Sequence, residues 1–132
     1  DELVEIRILN PPAPVQEPNA DSVVTQLKFK ETALLFSGDI TATVQKKLLT
    51  LKLLTKKPHL VLLPHHGDFL DPEFAQYIDS AFKVISTGPY DKWETPRGET
   101  LSLFTDRPYR TDIDHDLVFQ TDGYSVTKLE FK

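Results

Sequence analysis

Neither cysteine nor methionine occurs among the 132 residues. The first absence excludes disulfides, thiolate metal ligands and a cysteine nucleophile, and it fits either side of a membrane. Tryptophan appears once and glycine five times, and no Gly-rich phosphate-cradling loop is formed from those glycines. No apolar run approaches the length that spans a bilayer. Basic residues are in the minority: 15 Lys and Arg against 20 Asp and Glu leave a formal net charge of −5. With a sequence pI of about 5.3, a broad phosphate-gripping surface is disfavoured, because duplex binding relies on many Lys and Arg contacts. A local positive groove stays open. A single Trp without interleaved Arg and aromatics also argues against a dedicated nucleic-acid-binding module. The opening Asp1-Glu2-Leu3, with neither Met nor a basic signal region, reads as the start of a piece of something larger.

What is present is an ordinary globular composition, 39% hydrophobic and 27% charged, long enough for one domain over residues 1–132. Leu3 to Leu9 alternates as a strand, with Val4, Ile6 and Ile8 on one face and Glu5 and Arg7 on the other. The proline-rich stretch from Asn10 to Asn19 must be an irregular loop. Ser22 to Phe29 is a second strand, with Val24 and Gln26 sharing a face, and Lys30-Glu31 turns it into a third, Thr32 to Phe36. From Thr41 the period becomes helical through Val44, Leu48 and Leu51, with Asp39 or Thr41 as a cap and Lys56-Lys57-Pro58 as the close. Leu60 to Leu63 is a short strand buried on both faces. Asp71-Pro72-Glu73 is a cap-plus-proline helix start. Phe82 to Ser86 is strand-like, and Arg97 to Phe104 is a short helix. Tyr109–Thr111, Leu117–Gln120 and Tyr124–Phe131 close the chain as a meander, turned by Asp122-Gly123. Such an order predicts an α/β fold with a mixed β-sheet and helices on one face.

Two of these strands stop on residues that bind metal. Leu34-Leu35-Phe36 runs into Ser37-Gly38-Asp39, and Leu60-Val61-Leu62-Leu63 runs into Pro64-His65-His66-Gly67. Ligands at strand ends are held rigidly while their donor atoms still face a cleft. Each alone has a plainer reading: Asp39 as a helix cap, the histidines as a structural pair. Together they predict a metal site of Asp39, His65 and His66. On an extended backbone only one imidazole faces a given metal; the other contacts substrate or hydrogen-bonds a neighbouring carboxylate. His59 is expected at the surface. His115, in Asp112-Ile113-Asp114-His115-Asp116, belongs to a polar turn that lacks the spacing of a calcium loop. Ser37 and Ser86 have no base beside them in sequence.

The strings Asn19-Ala20-Asp21-Ser22-Val23-Val24, Leu34-Leu35-Phe36-Ser37-Gly38-Asp39-Ile40 and Leu62-Leu63-Pro64-His65-His66-Gly67 resemble the metallo-β-lactamase-fold domain of ComEC-type competence proteins. Val84-Ile85-Ser86-Thr87-Gly88 and Tyr109-Arg110-Thr111-Asp112 follow in the same order, so the resemblance runs from about Val4 to Gly123. It implies the C-terminal half of an αββα sandwich that uses two divalent ions, zinc or manganese, to hydrolyse phosphodiester or related bonds, with DNA as substrate. By position Asp39 matches the bridging aspartate, and His65 and His66 match the histidine motif, as catalytic and metal-binding residues. Three departures stand out. The family's upstream His-x-His-x-Asp-His signature is absent, Thr95 stands where a further His is usual, and Asp68 replaces a Ser. Asp91 or Glu94 could substitute as oxygen donors. These departures leave two readings open, a hydrolase completed by a missing N-terminal half and a degenerate structural or partner-binding relative. The expected partner is that missing half or a second copy. The resemblance puts the domain outside the cytoplasmic membrane if its parent is a membrane competence protein, whereas a free-standing homologue would be cytoplasmic.

Overall fold

The protein is seen in a computed structural model that describes residues 3–13, 16–89, 92 and 94–130. Alternation at the start builds β1 (Val4–Asn10), which pairs antiparallel with β2 (Val24–Phe29). Lys30 takes a left-handed conformation (φ 49°) and turns the chain into β3 (Thr32–Phe36), again antiparallel. Beyond β3 the pairing rule changes. The strands β4 (Leu60–Leu62), β5 (Phe82–Ile85) and the two-residue β6 (Tyr109–Arg110) each add in parallel, giving one mixed sheet in the order β1-β2-β3-β4-β5-β6. Parallel neighbours cannot be joined by a tight hairpin and need crossovers. These are α1 (Ala42–Thr50), α2 (Pro72–Ile78) and the single turn α3 (Gly98–Leu101).

The helices gather on one face. Val24, Leu35, Val61, Leu63 and Ile85 of the sheet side pack with Val44 and Leu48 of α1 and Phe74, Ala75 and Ile78 of α2, and Leu101 and Phe104 pack against the same cluster. Asp71 caps α2 as its sequence predicts: its carboxylate accepts from the Phe74 N–H at 3.1 Å, with Pro72 in the first turn. Gln45 is wholly buried on α1 and acts as a polar rivet. Its amide donates to the Phe69 carbonyl at 3.1 Å and its oxygen accepts from the Asp71 N–H at 2.8 Å. Lys83 is also buried, its ammonium donating to the carbonyls of Asp79 (2.5 Å) and Ala81 (3.3 Å) at the end of α2, where a cation suits the helix dipole.

The other face carries the rows Ile6-Leu27-Leu34-Leu60-Phe82 and Ile8-Thr25-Phe36-Leu62-Val84-Tyr109 in register. Its far end is covered by a separate hairpin of β7 (Val118–Thr121) and β8 (Val126–Leu129). The rings of Phe82, Tyr109 and Phe119 meet there at centroid distances of 5.4–6.2 Å. The Gly123 carbonyl at the hairpin tip accepts from the N–H groups of Glu31 (2.7 Å) and Thr32 (3.1 Å). Toward β1 the face is open, with Ile6, Ile8 and Phe36 exposed.

Three sequence expectations need correction. The closing meander is not one: Tyr109–Arg110 joins the main sheet beside β5, and a one-turn helix, α4 (Thr111–Asp114), follows it. The reason is local charge pairing. Arg110 grips the Asp112 carboxylate at 2.7 and 3.0 Å, and Arg107 grips Asp114 at the same two distances, so the segment curls instead of extending. The helix from Thr41 ends at Thr50, because Lys52 turns left-handed (φ 51°) and buried Gln26 draws the next loop onto β2 through Thr55 and the Lys56 carbonyl. His59 is not a free surface residue. Its Nδ1 accepts from the Ala33 N–H at 3.2 Å, while its own N–H and carbonyl bond Ala33 and Phe82, so it stitches the starts of three strands.

Candidate metal centre

In a parallel array the carboxyl ends of successive strands lie together, and ligands collect there. Asp39 follows β3, His65 and His66 follow β4, and Ser86 and Thr87 follow β5. The first two loops are tied directly, the His65 N–H donating to the Gly38 carbonyl at 3.0 Å. Gly38 is left-handed (φ 56°), and a Cβ there would lie 3.1 Å from both the Ser22 side chain and the Val23 carbonyl. The bend that presents Asp39 therefore belongs to glycine.

The histidine pair does not sit on extended backbone. His65 (φ 48°, ψ 48°) and His66 (φ 55°, ψ 23°) are both left-handed and are followed by Gly67 at φ 78°. For residues with a Cβ this costs about 1–2 kcal/mol each. Such strain persists only where neighbours over-determine it. The turn sends the two imidazoles apart, with ring centroids 6.4 Å from each other and planes at 62°.

His66 turns toward Asp39. Its Nδ1 lies 2.6 Å from the Ser86 carbonyl oxygen. A carbonyl can only accept, so Nδ1 carries the proton and donates. Nε2 then points the other way and lies 3.8 Å from Asp39 Oδ1. A backbone carbonyl fixing one ring nitrogen so that the other can ligate is the usual support of a metal-binding histidine. Asp39 is not spent as a helix cap, since Thr41 occupies the cap position of α1 without a side-chain bond. Nε2 and the Asp39 carboxylate thus face each other across a gap too long for a hydrogen bond and open to solvent.

His65 faces elsewhere. Its Nδ1 is 3.9 Å from Asp68 Oδ2, and the other Asp68 oxygen takes a short hydrogen bond from Arg97 Nε. The Arg97 guanidinium lies over the Phe69 ring at 4.4 Å. Sequence reasoning noticed Asp68 only as a replaced serine and missed Arg97; a cation 29 residues downstream of its carboxylate leaves no local signal. The segment around Thr95 packs onto the histidine turn. Pro96 abuts Gly67, the Arg97 N–H donates to the Gly67 carbonyl at 3.0 Å, and the Thr95 carbonyl accepts from the Thr87 hydroxyl at 3.3 Å. Glu94 is exposed and left-handed at φ 56°. Asp91 lies outside the described residues.

Two potential ligand atoms converge, Asp39 Oδ1 and His66 Nε2, at a separation near that of two ligands on one divalent ion. Bonds of about 2.0–2.1 Å meeting at the tetrahedral angle separate their donor atoms by about 3.4 Å, a few tenths less than the gap present. His65 is not in that arrangement. Among the described residues no group of three His, Asp or Glu that could hold a metal occurs.

The polar turn around His115 is settled by its arginines. Hydrogen bonds from Arg110 and Arg107 hold the Asp112 and Asp114 carboxyls below the usual carboxylate range, so these acids are paired with cations of the chain itself. His115 is exposed and left-handed (φ 59°), and it lines an open cavity of about 830 Å3 together with Leu62, Val84, Ser86 and Thr111. The Ser86 that orients His66 is thus also a wall of that cavity. No helix among the described residues is long and apolar enough to cross a membrane. No family model, no curated protein and no solved structure matches this chain.

Proposed function

We propose that the chain is the C-terminal half of a metallo-β-lactamase-like domain of the ComEC type, a metal-dependent nuclease or phosphodiesterase in its complete form and linked to DNA uptake. One observation carries this reading: His66 Nε2, aimed by the Ser86 carbonyl, faces the Asp39 carboxylate at 3.8 Å at the shared end of β3 and β4. In the reading, Asp39 and His66 hold a divalent ion, zinc or manganese. Such an ion, when bound, supplies Lewis acidity and activates water against a phosphodiester. The chain's own part is to hold Nδ1–H on the Ser86 carbonyl so that Nε2 is aimed, to offer the two oxygens of Asp39, and to present His65 from the same turn toward substrate. Catalytic zinc normally takes three protein ligands. Further donors therefore come from the other half, which in this reading packs on the open face around Ile6, Ile8 and Phe36. Taken alone, the chain has little or no activity.

A second reading is a relative whose chemistry has decayed into a structural or partner-binding role. It is favoured by the convergence of two donors and not three, with Thr95 contributing a backbone carbonyl to Thr87 where a ligand is expected. One experiment separates the two. Zinc or manganese is titrated into the purified chain at up to millimolar metal, beside Asp39→Ala and His66→Ala. Weak but saturable binding at one site that is lost in both variants supports the hydrolase reading, since two ligands hold an ion only loosely. No saturable binding, or binding indifferent to both substitutions, leaves the decayed scaffold.

A further inference from the structure

In the six-stranded sheet β1 is an outer strand, and among the described residues no strand pairs with its second edge. An unpaired edge presents a row of N–H and C=O groups that can accept another strand. Regular pairing with β2 runs from Val4 to Ile8, and the register breaks between Ile8 and Asn10. Pro11, which has no N–H, follows. The regular part of the edge is therefore centred on Ile6.

The side chains of this segment are self-complementary in one register. Val4, Ile6 and Ile8 are 52%, 63% and 61% exposed on one face. Glu5 and Arg7 stand on the other with side chains 51% and 38% exposed. When two copies pair antiparallel about a twofold axis normal to the sheet, residues directly opposite share a face. The axis must then pass through a residue position. An axis at Glu5 sets Glu5 against itself, and an axis at Arg7 sets Arg7 against itself; like charges directly opposite are destabilising. An axis at Ile6 sets each Glu5 opposite Arg7 of the second copy. It also extends an existing row, since Lys28 already pairs with Glu5 at 2.9 Å, so charges alternate Lys28, Glu5, Arg7 across the junction. On the opposite face Val4 meets Ile8 and Ile6 meets Ile6, all β-branched pairs.

We propose that β1 pairs with β1 of a second copy of this chain, antiparallel and centred on Ile6, joining two sheets into one through an isologous interface. Neither Asp39 nor His66 takes part, and the contact uses the edge of β1 and not the face on which the other half is proposed to pack, so either idea can fail alone.

Light scattering behind size exclusion tests it on wild type, R7E, E5R and the double E5R/R7E. Wild type should run at twice the 15.0 kDa chain mass. Each single reversal should weaken the dimer at least about tenfold, because it places like charges opposite twice. The double reversal should restore association in large part, short of wild type because E5R sets an arginine opposite Lys28. Circular dichroism melts confirm that each variant is folded. Hydrogen exchange supplies a second readout: β1 amides should be protected in concentrated wild type and lose that protection on dilution. A wild-type monomer at about 0.5 mM overturns the proposal, as does a dimer indifferent to both single reversals or a double reversal that fails to restore association. A dimer lost on Phe36→Lys but not on R7E also overturns it, moving the contact to the open sheet face.

Discussion

Replacing Gly67 with alanine tests whether the histidine turn is held as tightly as its geometry implies. Gly67 is buried at φ 78°, and a Cβ there would sit 2.7 Å from Pro96 Cβ and 3.3 Å from Ile85 Cδ1. Two costs add. An L residue in the left-handed region loses about 1–2 kcal/mol. Overlap with a proline ring, which cannot swing aside as a flexible side chain can, costs about 1–3 kcal/mol. Against these, alanine restricts the unfolded chain by about 0.4–1 kcal/mol. The net loss is about 1–5 kcal/mol. Urea denaturation reads it: with a slope of about 2 kcal/mol/M the midpoint falls by about 0.5–2.5 M. Gly88→Ala is the control. It has no atom within 4 Å of its virtual Cβ and no left-handed backbone, so its midpoint should stay put or rise slightly. A Gly67→Ala variant no less stable than Gly88→Ala would refute the close approach of the 94–97 segment to the histidine turn, and the placement of Arg97 with it.

Gln45→Leu keeps volume but leaves the Asp71 N–H and the Phe69 carbonyl without their buried partners, so it should cost about 1–3 kcal/mol in the same urea assay. Stability should also fall on the acid side. Hydrogen bonds from Arg107 and Arg110 lower the folded pKa of Asp114 and Asp112. The unfolded chain therefore binds protons first, and their contribution is full above the ordinary aspartate value of about 3.9 and is lost as pH falls through the lower folded values. Thermal melts from pH 7 to pH 3 should show a shallower acid slope in Asp114→Asn than in wild type. Equal slopes would mean that the Arg107–Asp114 pair is not formed in solution.

Much of the fold was legible because the sequence states it locally. Alternation marks β1 and β2, the Lys30-Glu31 turn and the apolar run after it mark β3, Asp71-Pro72 marks the start of α2, and Asp122-Gly123 marks the last hairpin. What failed to show was whatever depends on a partner distant in the chain. Lys83 lies between Phe82 and Val84, where alternation would give it to solvent; the carbonyls of Asp79 and Ala81 make its burial tolerable. Tyr109–Arg110 reads as part of a meander until the parallel edge of β5 is available to it. The site divides in the same way. Asp39 and His66 were visible from residue type at strand ends, and the fold does bring them together. That His65 and His66 part was already implied by extended backbone; what was not visible is the left-handed turn that parts them, held by bonds to Gly38 and Ser86.

That separation bears on which imidazole is available for chemistry. Each histidine has a carboxylate at nearly the same distance, 3.9 Å for His65 and Asp68 and 3.8 Å for His66 and Asp39. The two carboxylates are not equivalent. Asp68 is already neutralised by Arg97, and its backbone carbonyl is taken by the Thr100 hydroxyl at 2.5 Å. Asp39 has no such cation among the described residues and does not cap α1. A cation arriving from solvent therefore gains more between Asp39 and His66 than between Asp68 and His65, where it would have to compete with a guanidinium. The strain sharpens the point. Asparagine or glycine would make the same left-handed turn at lower cost. What histidine adds at position 66 is an imidazole whose Nδ1 is held by Ser86 and whose Nε2 is left facing a carboxylate.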